Sequence, residues 1–449
     1  MGGGQNIEYS LLLMNMFEGQ STIRRDLRRS IDWPLIFCYL ALVLIGWVSI
    51  YASIHSSEPG SILDWNCRSG KQAVWILTAF VLDILILFVI NPRLWEVISA
   101  PAYLFVLGLL VAVIFLGVEV KGSRSWFALG PVRFQPAEIS KITTSMLLAM
   151  VMSKPYYKIS NRKYFLITAG IIFLPMLVIL GESETGSALV YVGFLFALYR
   201  EGLSGWFPFF LGMAILLFIV TLTTNVWISM AIIAATTGVV LWRFFKSTER
   251  ESRIVRFRII RNTILSVIAG VSLVFATNFI FQNVLQDHQR KRIEVLLGMN
   301  EDPSGVGYNV IQSKIAIGSG GLFGKGFLNG TQTAYGFVPE QSTDFIFCTV
   351  GEETGFIGCL TVILLYAFMI TRIIQDADRS REAFTRIYGY CLASCLFMHL
   401  FINIGMTVGL MPVIGIPLPL LSYGGSSLWA FSVMIFIFVA LYKEEKKYF

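Results

Sequence analysis

Two stretches of this chain place ionisable side chains where an apolar run begins. The first reads Arg133-Phe134-Gln135-Pro136-Ala137-Glu138-Ile139-Ser140-Lys141. Proline suits the first turn of a helix, whose leading N–H groups have no intrahelical acceptor. Positions 134, 138 and 141 then share one face through their spacing of four and three. Glu138 and Lys141 come together on that face, with Arg133 and Gln135 above them. Ionisable groups within an apolar span are costly and point to function by default. A structural ion pair tying helices together is the plain alternative. The two are compatible, because a paired cation can still face a phosphate.

The second stretch reads Phe337-Val338-Pro339-Glu340-Gln341-Ser342-Thr343-Asp344-Phe345-Ile346-Phe347. Asp344 stands where a long polar segment enters an apolar run, and Ser342 or Thr343 could cap the helix that follows. A carboxylate partly withdrawn from water holds a proton more tightly and makes a better general base. Equally, Asp344 could be only an N-cap beside a favourable helix dipole. The residue pattern alone leaves both readings open. Glu352 and Glu353 lie roughly 12 Å deeper by helical rise, too deep to join the same site.

Other motifs narrow the chemistry. Gly318-Ser319-Gly320-Gly321-Leu322-Phe323-Gly324-Lys325-Gly326 fails as a phosphate-binding loop. Ser319 takes the first glycine position and Gly326 stands where Ser or Thr should follow Lys325. Its glycines are expected to supply tight turns and close backbone approach. Residues 416–427, Ile416-Pro417-Leu418-Pro419-Leu420-Leu421-Ser422-Tyr423-Gly424-Gly425-Ser426-Ser427, break the chain before the last apolar run. A re-entrant or sharply turned segment lining a cavity is expected there. His55, His288 and His399 do not cluster, so neither a metal site nor a Ser-His triad is supported. Cys391 and Cys395 share a helical face without further ligands, which argues against a metal site. No cofactor motif is present; a divalent cation is compatible with the sequence, but nothing in it specifies one.

The elements that must position these residues are membrane helices. Apolar residues make up 55% of the 449 and charged residues only 14%, well below the roughly 25% of soluble domains. Apolar runs long enough to cross a bilayer are expected at 34–53, 72–90, 97–117, 137–152, 164–180, 185–199, 206–222, 226–242, 259–281, 345–370, 387–410 and 428–442. Backbone groups in lipid must be satisfied within the segment, so the fold is expected to be all-α and polytopic, with ten to twelve spans. Arg24, Arg25, Arg28 and Arg29 precede the first run, which is too long for a cleavable signal. Residues 1–15 read as an upstream extension, since Met16 would also serve as a start, and Asn6 rules out a myristoylation signal.

Lys and Arg concentrate at 154–163, 243–261, 372–386 and 443–447, which puts both termini in the cytoplasm. The net charge of +7 follows from these connections. No separate basic, aromatic-rich domain exists for nucleic acid. A cytoplasmic segment 1–33, a membrane domain 34–443 and a tail 444–449 are expected. Three outer connections result, at 55–71, 118–135 and 282–344. The last is too long for a passive link, so function is expected there.

Together these segments resemble the SEDS family (shape, elongation, division and sporulation). The matching pieces are Lys71-Gln72, Lys121-Gly122-Ser123-Arg124-Ser125-Trp126, the runs at 133–141 and 339–347, Tyr308-Asn309-Val310-Ile311-Gln312-Ser313, the glycine segment, Glu352-Glu353, and 417–427. Gly324-Lys325-Gly326 followed by Gly330-Thr331-Gln332 is closer to the elongation branch than to the division branch. The resemblance implies a peptidoglycan glycosyltransferase that polymerises lipid II outside the membrane, with Asp344 as its essential carboxylate.

By the same resemblance, Arg133, Gln135, Glu138 and Lys141 match cavity residues, and Lys71 and Trp126 match others. Arg124, Glu340 and Ser422 complete the expected substrate-binding set. Expected partners are lipid II, the growing lipid-linked glycan, a class B penicillin-binding protein and other membrane proteins of the elongation machinery. Two departures stand out. The family usually has ten spans, which makes 206–242 a surplus hairpin. Glu182-Ser183-Glu184-Thr185-Gly186 replaces a usual Pro-Asp-Leu-Gly, and Ser125 replaces a common Arg, leaving roles for Glu184 and Ser125 open.

A rival class is a transporter or flippase for a lipid-linked precursor, which twelve spans and Asp83 within the second would suit. A non-catalytic scaffold is the third reading.

Overall fold

The computed structural model describes residues 31–446 except 121–122, 131, 225, 248–252, 286, 298 and 300–305. The arginines at 24–29, Lys121, Gly122 and the end of the tail therefore lie outside the described residues. Two compact units emerge, one formed by Met1–Gly202 with Asn309–Phe449 and the other by Leu203–Tyr308.

The first unit opens with α1 (Trp33–Ile54), α2 (Arg68–Phe88) and α3 (Arg93–Leu116). Asp32 caps α1 by accepting from the Leu35 amide at 3.4 Å. Strands β1 (Val118–Val120), β2 (Ser123–Leu129) and β3 (Val132–Phe134) follow, then α4 (Pro136–Met152), α5 (Arg162–Gly181), α6 (Thr185–Val190) and α7 (Phe194–Arg200). The second unit holds α8 (Trp206–Thr223), α9 (Val226–Ser247), α10 (Arg253–Phe279) and α11 (Asp287–Leu296). Within it α10 packs on both α8 and α9. The chain returns to the first unit through α12 (Val306–Ser319) and continues as α13 (Thr331–Ala334), α14 (Ile346–Arg379), α15 (Ala383–Thr407) and α16 (Gly425–Lys446).

Among the described residues, ten helices are long and apolar enough to cross a membrane. Each of the expected runs is helical, but two fall short of that measure. The run at 185–199 is divided into α6 and α7 by a tight 3-10 turn, Tyr191–Gly193. Helix α4 has only 17 residues, and nearly all of them, including Glu138, Ser140, Lys141, Thr143, Thr144 and Ser145, are buried. It is polar because it faces protein rather than lipid. Helices α15 and α16 are buried along most of their length, whereas α2, α3 and α5 turn apolar faces outward.

Within this all-α membrane protein the outer connection at 118–135 folds locally as strands. It is a three-stranded antiparallel sheet in the order β1-β2-β3, with Val118 opposite Trp126 and Ala128 opposite Arg133. Side chains alternate across β2, so Ser123 and Ser125 point inward while Arg124 is exposed. This seats both serines on Glu184, whose Oε1 accepts from each hydroxyl at 2.7 Å. Glu184 and Ser125, whose roles the sequence left open, thus tie the sheet to the start of α6.

The part of the long connection nearest α14 folds back onto that helix. Residues 321–326 run back along the 352–357 backbone of α14. The Lys325 and Gly326 amides donate to the carbonyls of Glu352 and Glu353, and Phe356 and Ile357 donate to Gly321 and Leu322. α14 is broken at this place, at Gly355, with φ 68° and ψ −161°. A Cβ on Gly324 or Gly355 would collide with the opposing backbone, so glycine is what permits the approach.

Candidate active site

Asp344 lies in a half-buried turn two residues before α14. Phe345 occupies the cap position of α14, and its own side chain makes no capping hydrogen bond. The Thr343 hydroxyl bonds Glu340 Oε2 at 3.0 Å, and Ser342 Oγ accepts from Arg68 Nη1 at 2.9 Å.

The turn is held on three sides. The re-entrant segment 416–427 crosses it, with the Ser422 hydroxyl donating to the Thr343 carbonyl at 2.6 Å and the Tyr423 amide to the Ser342 carbonyl at 2.8 Å. Gly424 N donates to Gln72 Oε1 of α2 at 3.2 Å. Asn403 of α15 donates from Nδ2 to the Asp344 carbonyl at 2.8 Å. Gly415 has φ 78°, and a Cβ there would sit 3.4 Å from Asp344 Oδ2, so glycine leaves room beside the carboxylate.

Glu138 and Lys141 form an ion pair at 2.8 Å in which both side chains are almost wholly enclosed. Lys141 Nζ also lies 2.9 Å from His399 Nε2 and 5.1 Å from the centre of the Phe431 ring. His399 and Asn403 are four residues apart on α15, so the ion pair and the Asp344 turn meet α15 on adjacent turns of one face, roughly 6 Å apart along its axis.

The remaining candidates sit differently. Gln135 is buried just before α4, and Ser422 is buried with its hydroxyl committed to Thr343. Trp126 is half-buried on β2. Lys71, Arg124, Arg133 and Glu340 are exposed, with Arg124 3.7 Å from Glu119. Asp83, which a transporter would use, is enclosed and accepts from the Tyr39 hydroxyl at 2.9 Å.

Three residues escaped sequence reasoning. Arg68, one helical turn before Lys71, reaches the Asp344 turn through Ser342. His399 and Asn403 carried only the faint signal of polar residues at helical spacing in an apolar run.

Glu352 is fully buried, away from Asp344 on the helix, and organises the returning segment. Its carboxylate accepts from the amides of Thr331, Gln332 and Thr333 at 2.8 Å each and from Lys325 Nζ at 2.7 Å.

In the connection between α5 and α6, Glu182 is buried and neither carboxylate oxygen has a hydrogen-bond partner among the described residues. Burial, and then the Glu184 carboxylate, push its pKa up to about 8 from the usual 4.5. The folded chain thus keeps a proton that the unfolded chain releases above about pH 4.5. Stability is lost as pH climbs from about 4.5 through about 8. Glu182→Gln is expected to melt higher than the parent at pH 8, with the gap closing by pH 5. Identical pH slopes in thermal melts of the two proteins would contradict this.

A membrane bundle with a polar site at the mouth of α14 matches a known class. Over residues 32–262 and 258–447 the chain matches the cell cycle protein family of FtsW, RodA and SpoVE, and it belongs to that family. Peptidoglycan glycosyltransferase MrdB of Escherichia coli K12 is 34% identical over 361 residues, covering 80% of this chain and 81% of the relative. Peptidoglycan glycosyltransferase RodA of Treponema pallidum is 31% identical over 417 residues, covering 89% of this chain and 94% of the relative. Among solved structures, a chain of a peptidoglycan synthase complex that coordinates polymerization and crosslinking superposes with a TM-score of 0.63 at 25% identity. That match covers 92% of this chain and 98% of the other. RodA of Thermus thermophilus shares the fold, with a TM-score of 0.57 at 24% identity over 92% of this chain and 97% of its own. The chain is a multi-pass membrane protein resembling RodA.

Proposed function

We propose that the chain is a peptidoglycan glycosyltransferase that polymerises lipid II on the outer face of the bacterial cytoplasmic membrane during cell elongation. The observation that carries this reading is the meeting of the Asp344 turn and the Lys141–Glu138 pair on adjacent turns of α15. Family membership supports it, as do relatives named peptidoglycan glycosyltransferases.

In this reading Asp344 takes the proton from the 4-hydroxyl of the incoming lipid II sugar. The freed oxygen attacks the anomeric carbon of the lipid-linked chain and inverts it. Diphosphate leaves without needing a second carboxylic acid, unlike the leaving groups of glycoside hydrolysis. It needs positive charge instead, which the exposed Arg133, Arg124 and Lys71 supply. Trp126, Gln135 and Glu340 complete the substrate contacts, while the enclosed Ser422 serves by holding the turn. An apolar cavity of about 260 Å³, lined by residues such as Leu82, Ile98, Ile142 and Trp429, offers room for part of a lipid tail. Both termini are cytoplasmic, residues 206–242 are an added hairpin, and a class B penicillin-binding protein crosslinks the product.

Reconstituted protein given labelled lipid II is expected to yield a ladder of glycan strands on a gel. Lipid II crossing the bilayer without any ladder would instead favour the transport reading.

A further inference from the structure

Helix α15 presents His399 and Asn403 on one face, both enclosed by protein. Asn403 Nδ2 donates to two main-chain carbonyls, Asp344 at 2.8 Å and Ile416 at 2.7 Å. Both partners can only accept, so the orientation of the amide is settled and its two N–H groups are spent. One turn away, His399 Nδ1 lies 3.1 Å from the Pro417 carbonyl, which also only accepts. Nδ1 therefore carries the hydrogen, and Nε2 turns its lone pair to Lys141 Nζ at 2.9 Å. Lys141 completes the chain by donating to Glu138 Oε1 at 2.8 Å.

The bonds run without a gap from Glu138 through Lys141 and His399 to Pro417, and from the adjoining Ile416 through Asn403 to Asp344. We propose that Asn403 is a positioning residue for Asp344, and that the Lys141–Glu138 pair acts on the same turn through His399 and the 416–417 backbone instead of touching substrate. The inference rests on Asp344 being the base in the function proposed above. Lys141 is 1% exposed, and its ammonium is shared between a carboxylate, an imidazole and the face of Phe431. A phosphate could reach it only by displacing one of these. The gain from such a frame is placement, since a shift of about 1 Å in a reacting group costs on the order of 100-fold in rate.

The test is steady-state polymerisation of lipid II by the full-length protein, with kcat and KM measured separately. Asn403→Asp keeps the shape but removes both N–H donors, leaving one O–H at most. It is expected to lower kcat by about 10- to 100-fold while KM for lipid II stays within about twofold. Lys141→Met should show the same split. His399→Gln can still donate to Pro417 and accept from Lys141, and is expected to retain more kcat than His399→Leu.

Asn403→Asp with the parent kcat would overturn the proposal, as would Lys141→Met with unchanged kcat and a raised KM. If Asn403→Asp does not fold, the histidine pair decides, and equal kcat values for Gln and Leu would overturn it. Asp344→Asn is run beside them. Polymer from that variant defeats the base reading and the inference with it, whereas an inactive Asp344→Asn beside a fully active Asn403→Asp defeats only the inference.

Discussion

Lys141→Met is expected to cost about 3–5 kcal/mol of stability, because it strands the Glu138 carboxylate in a closed site. Glu138 is 2% exposed, and its Oε2 already lacks a hydrogen-bond partner among the described residues. With the ammonium gone, Oε1 loses its partner too. Removing both charges is a different matter. Glu138→Gln with Lys141→Met should recover much of the loss, because neither remaining group is an unpaired ion. Thermal unfolding in detergent of the two single variants and the double variant measures this. Additive losses would mean that the pair is not coupled, contrary to the 2.8 Å contact.

The second large effect belongs to Glu352→Ala. Three amides, two hydroxyls and Lys325 Nζ converge on this one buried carboxylate. Of these donor residues Thr333 is the buried one, and a buried donor left without an acceptor costs about 1–3 kcal/mol. The returning segment is therefore expected to detach before the bundle unfolds. Amide hydrogens of Thr331, Gln332 and Thr333 should exchange at least about tenfold faster, since each 1.4 kcal/mol of lost protection is a factor of ten. Trypsin cleavage after Lys325 should appear in the same variant. Unchanged exchange at all three amides would show that other contacts hold the segment.

Much of the fold is legible in the sequence because apolar runs of bilayer length have few alternatives. Asp344, Glu138 and Lys141 stand out for the same reason, as charges at or inside such runs. Where the reading fell short, the missing information was tertiary. His399 and Asn403 are single polar residues in an apolar helix, and their partners lie 258 and 59 residues away. Strands of three residues, such as β1 and β3, are too short for a two-residue period to declare itself. Glu352 was placed by helical rise alone, which says nothing of what folds back onto the helix. The break at Gly355 lets the glycine segment pair with the helix backbone and bring its loop to the carboxylate. Lys71 was preferred to Arg68 by resemblance, yet it is the Arg68 guanidinium that reaches Ser342.

The role of Asp344 is tested most directly by measuring glycan strands made from lipid II by parent and Asp344→Asn protein, both checked for folding and membrane insertion. Removal of a general base typically costs about 10²- to 10⁴-fold. The account predicts a ladder from the parent and none, or one weaker by at least about 100-fold, from Asp344→Asn. A ladder of equal strength from the variant would contradict it.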